Sequence, residues 1–253
     1  MLVSLTDRRT GLGLAIAQWL IKESHNVVVL ARSEGPLNTL QDDHPRQVRA
    51  LAGDLTDFTI AQKSVDLAVK DFGKLDGVVV NHGAFFGVGK IAECDIEAWR
   101  KMLDVNFHSA VAFVSLRAIL TQQESHVWQT KAALPELRKT KGSMVFTSSG
   151  AATGAYSAWG AYSFSKAAIN ALVRQIACEE RDVTALAIRP GLVDTDMQRD
   201  VRDIHAAKMD DKDIAKFRSA YENKTLLKPE VPARVMWKVA IDPDPSLSGQ
   251  YFR

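Results

Sequence analysis

Cysteine is nearly absent from this chain of 253 residues: Cys94 and Cys178 are the only two, far apart and outside any CxxC or His-rich spacing. That excludes a disulfide scaffold and a zinc centre, and no metal site is expected; the two thiols are read as free and buried or half-buried. An excess of charge of one sign is also lacking, since 32 basic and 30 acidic residues leave a net charge of +2. Nucleic acid and anionic membrane surfaces are therefore not expected partners. No apolar run approaches the ~20 residues of a membrane span, and the N-terminus shows no charged-then-apolar leader. A reducing, cytoplasmic location is the default expectation. Internal repeats and low-complexity linkers are missing too.

The remainder is ordinary globular composition, 46% hydrophobic and 25% charged, of a length that suits one domain spanning residues 1–253. Short β-branched runs, Leu2 to Leu5, Asn26 to Leu30, Gly77 to Val80, Ser143 to Thr147 and Thr184 to Ile188, read as strands buried on both faces. Amphipathic segments alternate with them, including Leu12 to Ser24, Thr59 to Phe72 and Ala161 to Glu179. Such alternation predicts α/β architecture: a single doubly wound domain with a central parallel β-sheet flanked by helices on both faces. Ligands in that architecture bind at the carboxyl ends of the strands. The charged segment 196–228 lacks a strong apolar stripe; it is either a helical substrate flap or a solvated excursion.

Three local patterns carry chemistry. Tyr162 and Lys166, four residues apart, share one helical face, and an ammonium beside a phenol lowers its pKa into a range useful for proton transfer. Ser149, just past the run Ser143 to Ser148, offers a hydroxyl to hold a carbonyl oxygen beside that phenol. Near the N-terminus, Thr6-Asp7-Arg8-Arg9-Thr10-Gly11-Leu12-Gly13 joins a strand to a helix. Glycines there let the backbone approach a pyrophosphate at the helix N-terminus.

These motifs, in this order, resemble the short-chain dehydrogenase/reductases over nearly the whole chain. The family pattern is matched by Thr6 to Gly13, Asn81-His82-Gly83, Asn106, Ser149, Tyr162 with Lys166, and Pro190-Gly191 with Thr195. The resemblance implies a Rossmann-type domain and hydride transfer between a nicotinamide and a carbonyl carbon. By the same resemblance Asn106, Ser149, Tyr162 and Lys166 form the catalytic set. Tyr162 exchanges the proton, Ser149 orients the oxygen, and Lys166 depresses the Tyr162 pKa and binds the nicotinamide ribose. Asn106 holds a local helix distortion. Cofactor contacts fall to Thr6, Gly11, Leu12, Gly13, Asn81 and Gly83, to Asp54 and Leu55 at the adenine, and to Pro190, Gly191, Val193 and Thr195 at the carboxamide, beside Tyr162 and Lys166.

Cofactor choice is read from Val29-Leu30-Ala31-Arg32-Ser33. An NAD-selective site places a carboxylate at the end of this strand; Ala31 removes it, and Arg32 suits a 2′-phosphate, so NADP(H) is favoured over NAD(H). Arg8 or Arg9 either adds charge there or is an exposed loop residue. His82 is read as a structural or cofactor-edge histidine rather than a general base. Tyr156 and Trp159 either line an aromatic substrate pocket or serve as packing.

Two departures from the family pattern stand out. Asp7 occupies the position of the first glycine, where its charge either opposes a pyrophosphate or points outward as a cap. Val114 to Gln129 is an insertion in the helix that the family uses for subunit pairing, which puts the expected homodimer or tetramer in doubt. This segment, with Met1 to Arg9, is read either as genuine chain or as translated intervening sequence.

The run Pro190 to Gln198 is most similar to the sepiapterin reductase and benzil reductase branch. The expected function is NADPH-dependent reduction of a small-molecule ketone or vicinal dicarbonyl. The alternative is a catalytically impaired cofactor-binding or scaffold relative, or the product of a faulty gene model.

Overall fold

The computed structural model describes residues 1–5, 11–114 and 132–253. Thr6, Asp7, Arg8 and Arg9, and the insertion beyond Val114, lie outside the described residues. Among the described residues seven strands form one parallel sheet: β1 Leu2–Ser4, β2 Val27–Ala31, β3 Val48–Ala52, β4 Gly77–Val80, β5 Ser143–Thr147, β6 Thr184–Ile188 and β7 Tyr251–Phe252. Their order is β3-β2-β1-β4-β5-β6-β7, so the chain switches direction between β1 and β4. Ligands bind outside the carboxyl ends of strands at such a switch.

Alternation of side chains along each strand divides the interior in two. Leu2, Val78, Val80, Met144 and Phe146 face helices α3 Thr59–Phe72, α5 Ser109–Val114, α6 Ala133–Thr140 and α7 Gly160–Glu179. Val3, Val29, Val79 and Val145 face the opposite layer, in which α1 Leu12–Lys22, α2 Glu34–Asp43 and α10 Glu230–Ile241 pack. The doubly wound reading of the sequence is thus the architecture observed. Leu2 to Ser4, within the segment suspected of being intervening sequence, pair with both β2 and β4 at the centre of the sheet.

Two expectations need correction. Both cysteines are exposed, because each sits on a polar helical or loop surface rather than on an apolar face. Segment 196–228 does carry an apolar side. It folds as α8 Asp196–Asp203 and α9 Asp211–Glu222, and Val201, Met209, Ile214 and Phe217 are buried against Trp159 and Tyr162. No single helix shows a long stripe, because the apolar residues are shared among several short elements.

Candidate active site

Each strand end delivers one part of the site. Beyond β1 the chain reaches Gly11, whose φ of 134° a side chain would strain. Gly13 follows in the first turn of α1; a Cβ there would lie 2.6 Å from Asn81 Nδ2, so this helix approaches the loop after β4 only because the side chain is absent. Arg32 follows β2, Asp54 and Leu55 follow β3, and Asn81 to Gly83 follow β4. With Gly11 and Leu12 they line one cavity, which continues past Ser149, Tyr162 and Lys166 to Pro190, Gly191, Val193 and Thr195. Every described residue singled out in the sequence as a cofactor contact, apart from Gly13, lines this channel.

Asn81 is held from two sides: its backbone N–H donates to Ser4 Oγ at 3.0 Å, and its Oδ1 accepts from Thr147 Oγ1 at 3.0 Å. His82, next in the chain, is 4% exposed. Its Nδ1 lies 2.8 Å from Ser4 Oγ and its Nε2 2.7 Å from Ser109 Oγ. Burial, aided by the nearby Lys166 charge, pushes its pKa down to about 3. The ring is a neutral strut between β1 and α5, which fits a structural histidine and not a base working near neutrality.

Asn106 sits in a π-helical turn, Asp104–His108, between α4 Ile96–Leu103 and α5. The bulge aims its amide at the loop after β4, where Oδ1 accepts from Ala84 N–H at 2.7 Å and Nδ2 donates to Ala84 O at 3.0 Å. Nδ2 also reaches Ser165 Oγ at 3.2 Å. Asn106 therefore clamps this loop to α7, one residue from Lys166.

Ser149 is an extended residue directly after Ser148, and its hydroxyl accepts from Ala151 N–H at 3.2 Å. That hydroxyl is near enough to the Tyr162 phenol to favour its ionised form. Lys166, 4% exposed, donates from Nζ to Thr147 O at 2.8 Å and lies 5.8 Å from the Tyr162 ring centroid. The structure thus brings Ser149, Tyr162 and Lys166 to one wall, with Asn106 buried behind it against Ala84 and Ser165.

The electrostatics differ from the expectation that Lys166 lowers the Tyr162 pKa. Burial raises the phenol above its ordinary value, and the nearby Ser149 hydroxyl only partly opposes this. Burial also lowers Lys166 to about 8. The cause is shared: a dry wall disfavours both tyrosinate and ammonium. The neutral phenol is the stable form here, which suits a proton donor.

Opposite this wall the cavity, of about 440 Å³, is aromatic. Phe85 packs edge-on against Tyr162 at 5.1 Å and Trp159 at 4.6 Å. Trp159 stacks on Phe217 of α9 at 5.1 Å. Tyr156 also lines the cavity and receives a hydrogen bond from Lys216 Nζ at 2.6 Å. Ala158, in the left-handed region at φ 64°, turns the loop so that Trp159 faces inward. Sequence reasoning found Tyr156 and Trp159 but missed Phe85, Phe217 and Gln198, which also line the cavity. Phe85 lies two residues beyond the recognised Asn81-His82-Gly83, and Phe217 is distant in sequence.

The channel fits an elongated dinucleotide. A glycine at positive φ and a close-approach glycine mark the helix end where a pyrophosphate can be admitted, and polar residues continue at successive strand ends. Among the described residues no group of three or more His, Cys, Asp or Glu could hold a metal ion. No helix among them is long and apolar enough to cross a membrane.

Comparison with known proteins agrees with this geometry. A family model described as enoyl-(acyl carrier protein) reductase matches residues 7–251. A benzil reductase ((S)-benzoin forming) of Saccharomyces cerevisiae is 35% identical over 264 residues, covering 99% of this chain and 94% of that protein. A crystal structure of a short chain dehydrogenases/reductase, YIR035C, from the same yeast superposes with a TM-score of 0.89 at 37% identity, covering 99% and 94% of the two chains. Another, described as a cytoplasmic protein with unknown function from that yeast, gives 0.76 at 36% identity, again covering 99% and 94%. The chain therefore belongs to the short-chain dehydrogenase/reductase family, oxidoreductases that use NAD(P)(H) and act on small molecules.

Proposed function

We propose that the protein is an NADPH-dependent carbonyl reductase acting on aromatic ketones and vicinal dicarbonyls, with Tyr162 as the proton donor. The observation that carries this reading is the buried, neutral Tyr162 phenol near Ser149, both lining one aromatic cavity. In this reading Ser149 and Tyr162 hold the substrate oxygen between two hydroxyls. The Tyr162 O–H then delivers its proton as charge develops on that oxygen. Lys166 carries its positive charge beneath the phenol and stabilises the tyrosinate that remains. When bound, the reduced nicotinamide supplies a hydride to the carbonyl carbon. Asn106 keeps the loop after β4 and α7 in register, and helices α8 and α9 form a substrate flap that keeps water out.

Arg32, exposed at the end of β2, supports NADPH, because a guanidinium pairs with a 2′-phosphate through charge-assisted hydrogen bonds. Gly11, Leu12 and Gly13 would hold the pyrophosphate, with Thr6 beside them, and Asp54, Leu55, Asn81 and Gly83 the adenosine side. Pro190, Gly191, Val193 and Thr195 would hold the carboxamide, and Tyr162 and Lys166 the nicotinamide ribose. The benzil reductase relative supports a dicarbonyl substrate, since the aromatic walls here suit flat, apolar groups on either side of a diketone. A cytoplasmic site of action agrees with the relative described by that location.

Titration of the purified protein with NADPH and NADH, followed by turnover with a panel of mono- and diketones, tests the reading. Tight binding selective for NADPH, with diketones preferred, supports it. Preference for NADH, or inactivity on every ketone, overturns it.

A further inference from the structure

Arg189 directly follows β6, and the proposed reaction gives it no task. Its backbone N–H donates to Phe252 O at 2.8 Å, which carries the strand alternation one residue past β6, so its side chain points the way of Ala185 and Ala187. Those two pack in the layer that holds α7. The guanidinium therefore lies on the face of the sheet from which Tyr162 and Lys166 come. There it rests over Gly150, the neighbour of Ser149: a Cβ on Gly150 would lie 2.8 Å from Arg189 Cζ and 2.9 Å from its Nε. Arg189, Gly150 and Ser149 all line the cavity.

Arg189 is half-buried, yet among the described residues its guanidinium has no hydrogen-bond or ion-pair partner. A guanidinium does not shed its proton, so partial withdrawal from water leaves a fixed charge that an anion would satisfy. The acidic residues lining the cavity do not pair with it: Asp54 follows β3, at the opposite edge of the sheet, and Asp196 and Asp200 belong to α8, where Asp196 pairs with Arg199 at 2.6 Å. The pyrophosphate end of the channel is too distant to supply the anion. It is marked by Gly11 after β1, three strands from β6, and strands ~4.8 Å apart put it about 14 Å away. The substrate is the source that remains. Phe85 follows β4, Ser149 follows β5 and Arg189 follows β6, neighbours in that order in the sheet. A carbonyl held at Ser149 thus has an aromatic wall on one side and a guanidinium on the other, and the planar fork of a guanidinium matches a carboxylate.

We propose that Arg189 is a specificity-determining residue that binds a carboxylate carried by the substrate, so that vicinal diketones bearing an acidic aryl group are preferred to neutral ones of the same shape. This rests on the carbonyl-reductase reading of Ser149 and Tyr162. The carbonyl carbon gains a hydride from the reduced nicotinamide, which becomes oxidised, and the carbonyl oxygen gains the Tyr162 proton. The product is an α-hydroxy ketone. The carboxylate keeps all its bonds and serves only to hold the substrate.

The test compares the 3- and 4-carboxylates of benzil with the corresponding carboxamides, neutral groups of the same shape, using wild type, Arg189→Met and Arg189→Lys. The readout is the ratio of kcat/KM for acid over amide, compared between proteins so that the intrinsic reactivity of each compound cancels. In at least one of the two pairs wild type is expected to prefer the acid, and the ratio to fall about tenfold or more in Arg189→Met, mainly through KM, as for loss of a charge-assisted hydrogen bond. Arg189→Lys, which keeps the charge without the fork, is expected to retain part of the preference. A ratio unchanged by Arg189→Met in both pairs overturns the proposal, and so does an equal slowing of acid and amide, which would mark Arg189 as packing against Gly150. Quenching of tryptophan fluorescence by each compound, with NADPH present, separates this inference from the reading beneath it. If wild type reduces none of the compounds yet binds an acid more tightly than its amide, and Arg189→Met does not, the role of Arg189 stands while the reductase reading falls. Turnover by wild type with equal binding of acid and amide removes the role and leaves the reductase reading in place.

Discussion

The Tyr251 hydroxyl, in the last strand of the sheet, donates to the backbone carbonyl of Ser149 at 2.9 Å. Ser149, which the proposed reaction uses to orient the substrate oxygen, is thus tied to an edge strand on the far side of β6. Behind it, a Cβ on Gly150 would lie 2.8 Å from Arg189 Cζ, so the Ser149 loop is wedged from two directions. Tyr251→Phe removes the first of these ties. The variant is expected to lose about 1 kcal/mol of stability and several-fold in kcat, with cofactor affinity kept. Activity equal to wild type would show that Ser149 is positioned without Tyr251.

Arg32 decides cofactor choice in this account. Arg32→Ala is expected to weaken NADPH by ~1–3 kcal/mol, the range for a charge-assisted hydrogen bond, and to leave NADH binding nearly constant. Isothermal titration with both cofactors measures it. Equal losses for the two would remove Arg32 from the selectivity argument.

In the proposed reaction Lys166, held near 8 by burial, would set an alkaline limit on reduction. Below that value the ammonium is charged and can stabilise the developing tyrosinate; above it the charge is lost. The kcat for carbonyl reduction is expected to be level at lower pH and to fall as pH rises through about 8. A profile flat to pH 10 would deny the ammonium its role.

His82 makes the fold sensitive to acid. Its pKa is about 3 in the folded protein against 6.5 for the free side chain, so the unfolded chain binds more protons between these values. The stability that depends on neutral His82 is whole above pH ~6.5 and is lost as pH falls toward 3, at up to about 1.4 kcal/mol per pH unit. Urea unfolding at several pH values should show this slope in wild type and a shallower one in His82→Ala. Matching slopes would mean that other groups carry the acid sensitivity.

Much of this was legible before any coordinates. Helix α3 runs over Thr59–Phe72, as its pattern predicts, because apolar residues at helical spacing have one face to bury. Tyr162 and Lys166 meet because four residues make about one helical turn. Other features depend on residues far apart in sequence. Phe85, Phe217 and Tyr251 reach the site only through folding of the sheet and of α9, and no spacing announces them. The sign of the Tyr162 shift is hidden from the sequence for the same reason. Spacing reveals the nearby charge, but the burial that outweighs it comes from Phe85, Trp159 and the helices above. The apolar side of segment 196–228 is not legible in the sequence because its side chains are divided between short helices, so no one window shows a stripe.

The central claim is that Tyr162 gives the proton during carbonyl reduction by NADPH. Its most direct test is NADPH consumption with a vicinal diaryl diketone by wild type and Tyr162→Phe, with cofactor binding to both proteins measured alongside. The expected result is turnover by wild type, and a loss of about a hundredfold or more in kcat for the Phe variant with NADPH affinity largely kept, as befits removal of a general acid. A Phe variant that binds NADPH and retains most of the activity would contradict the account.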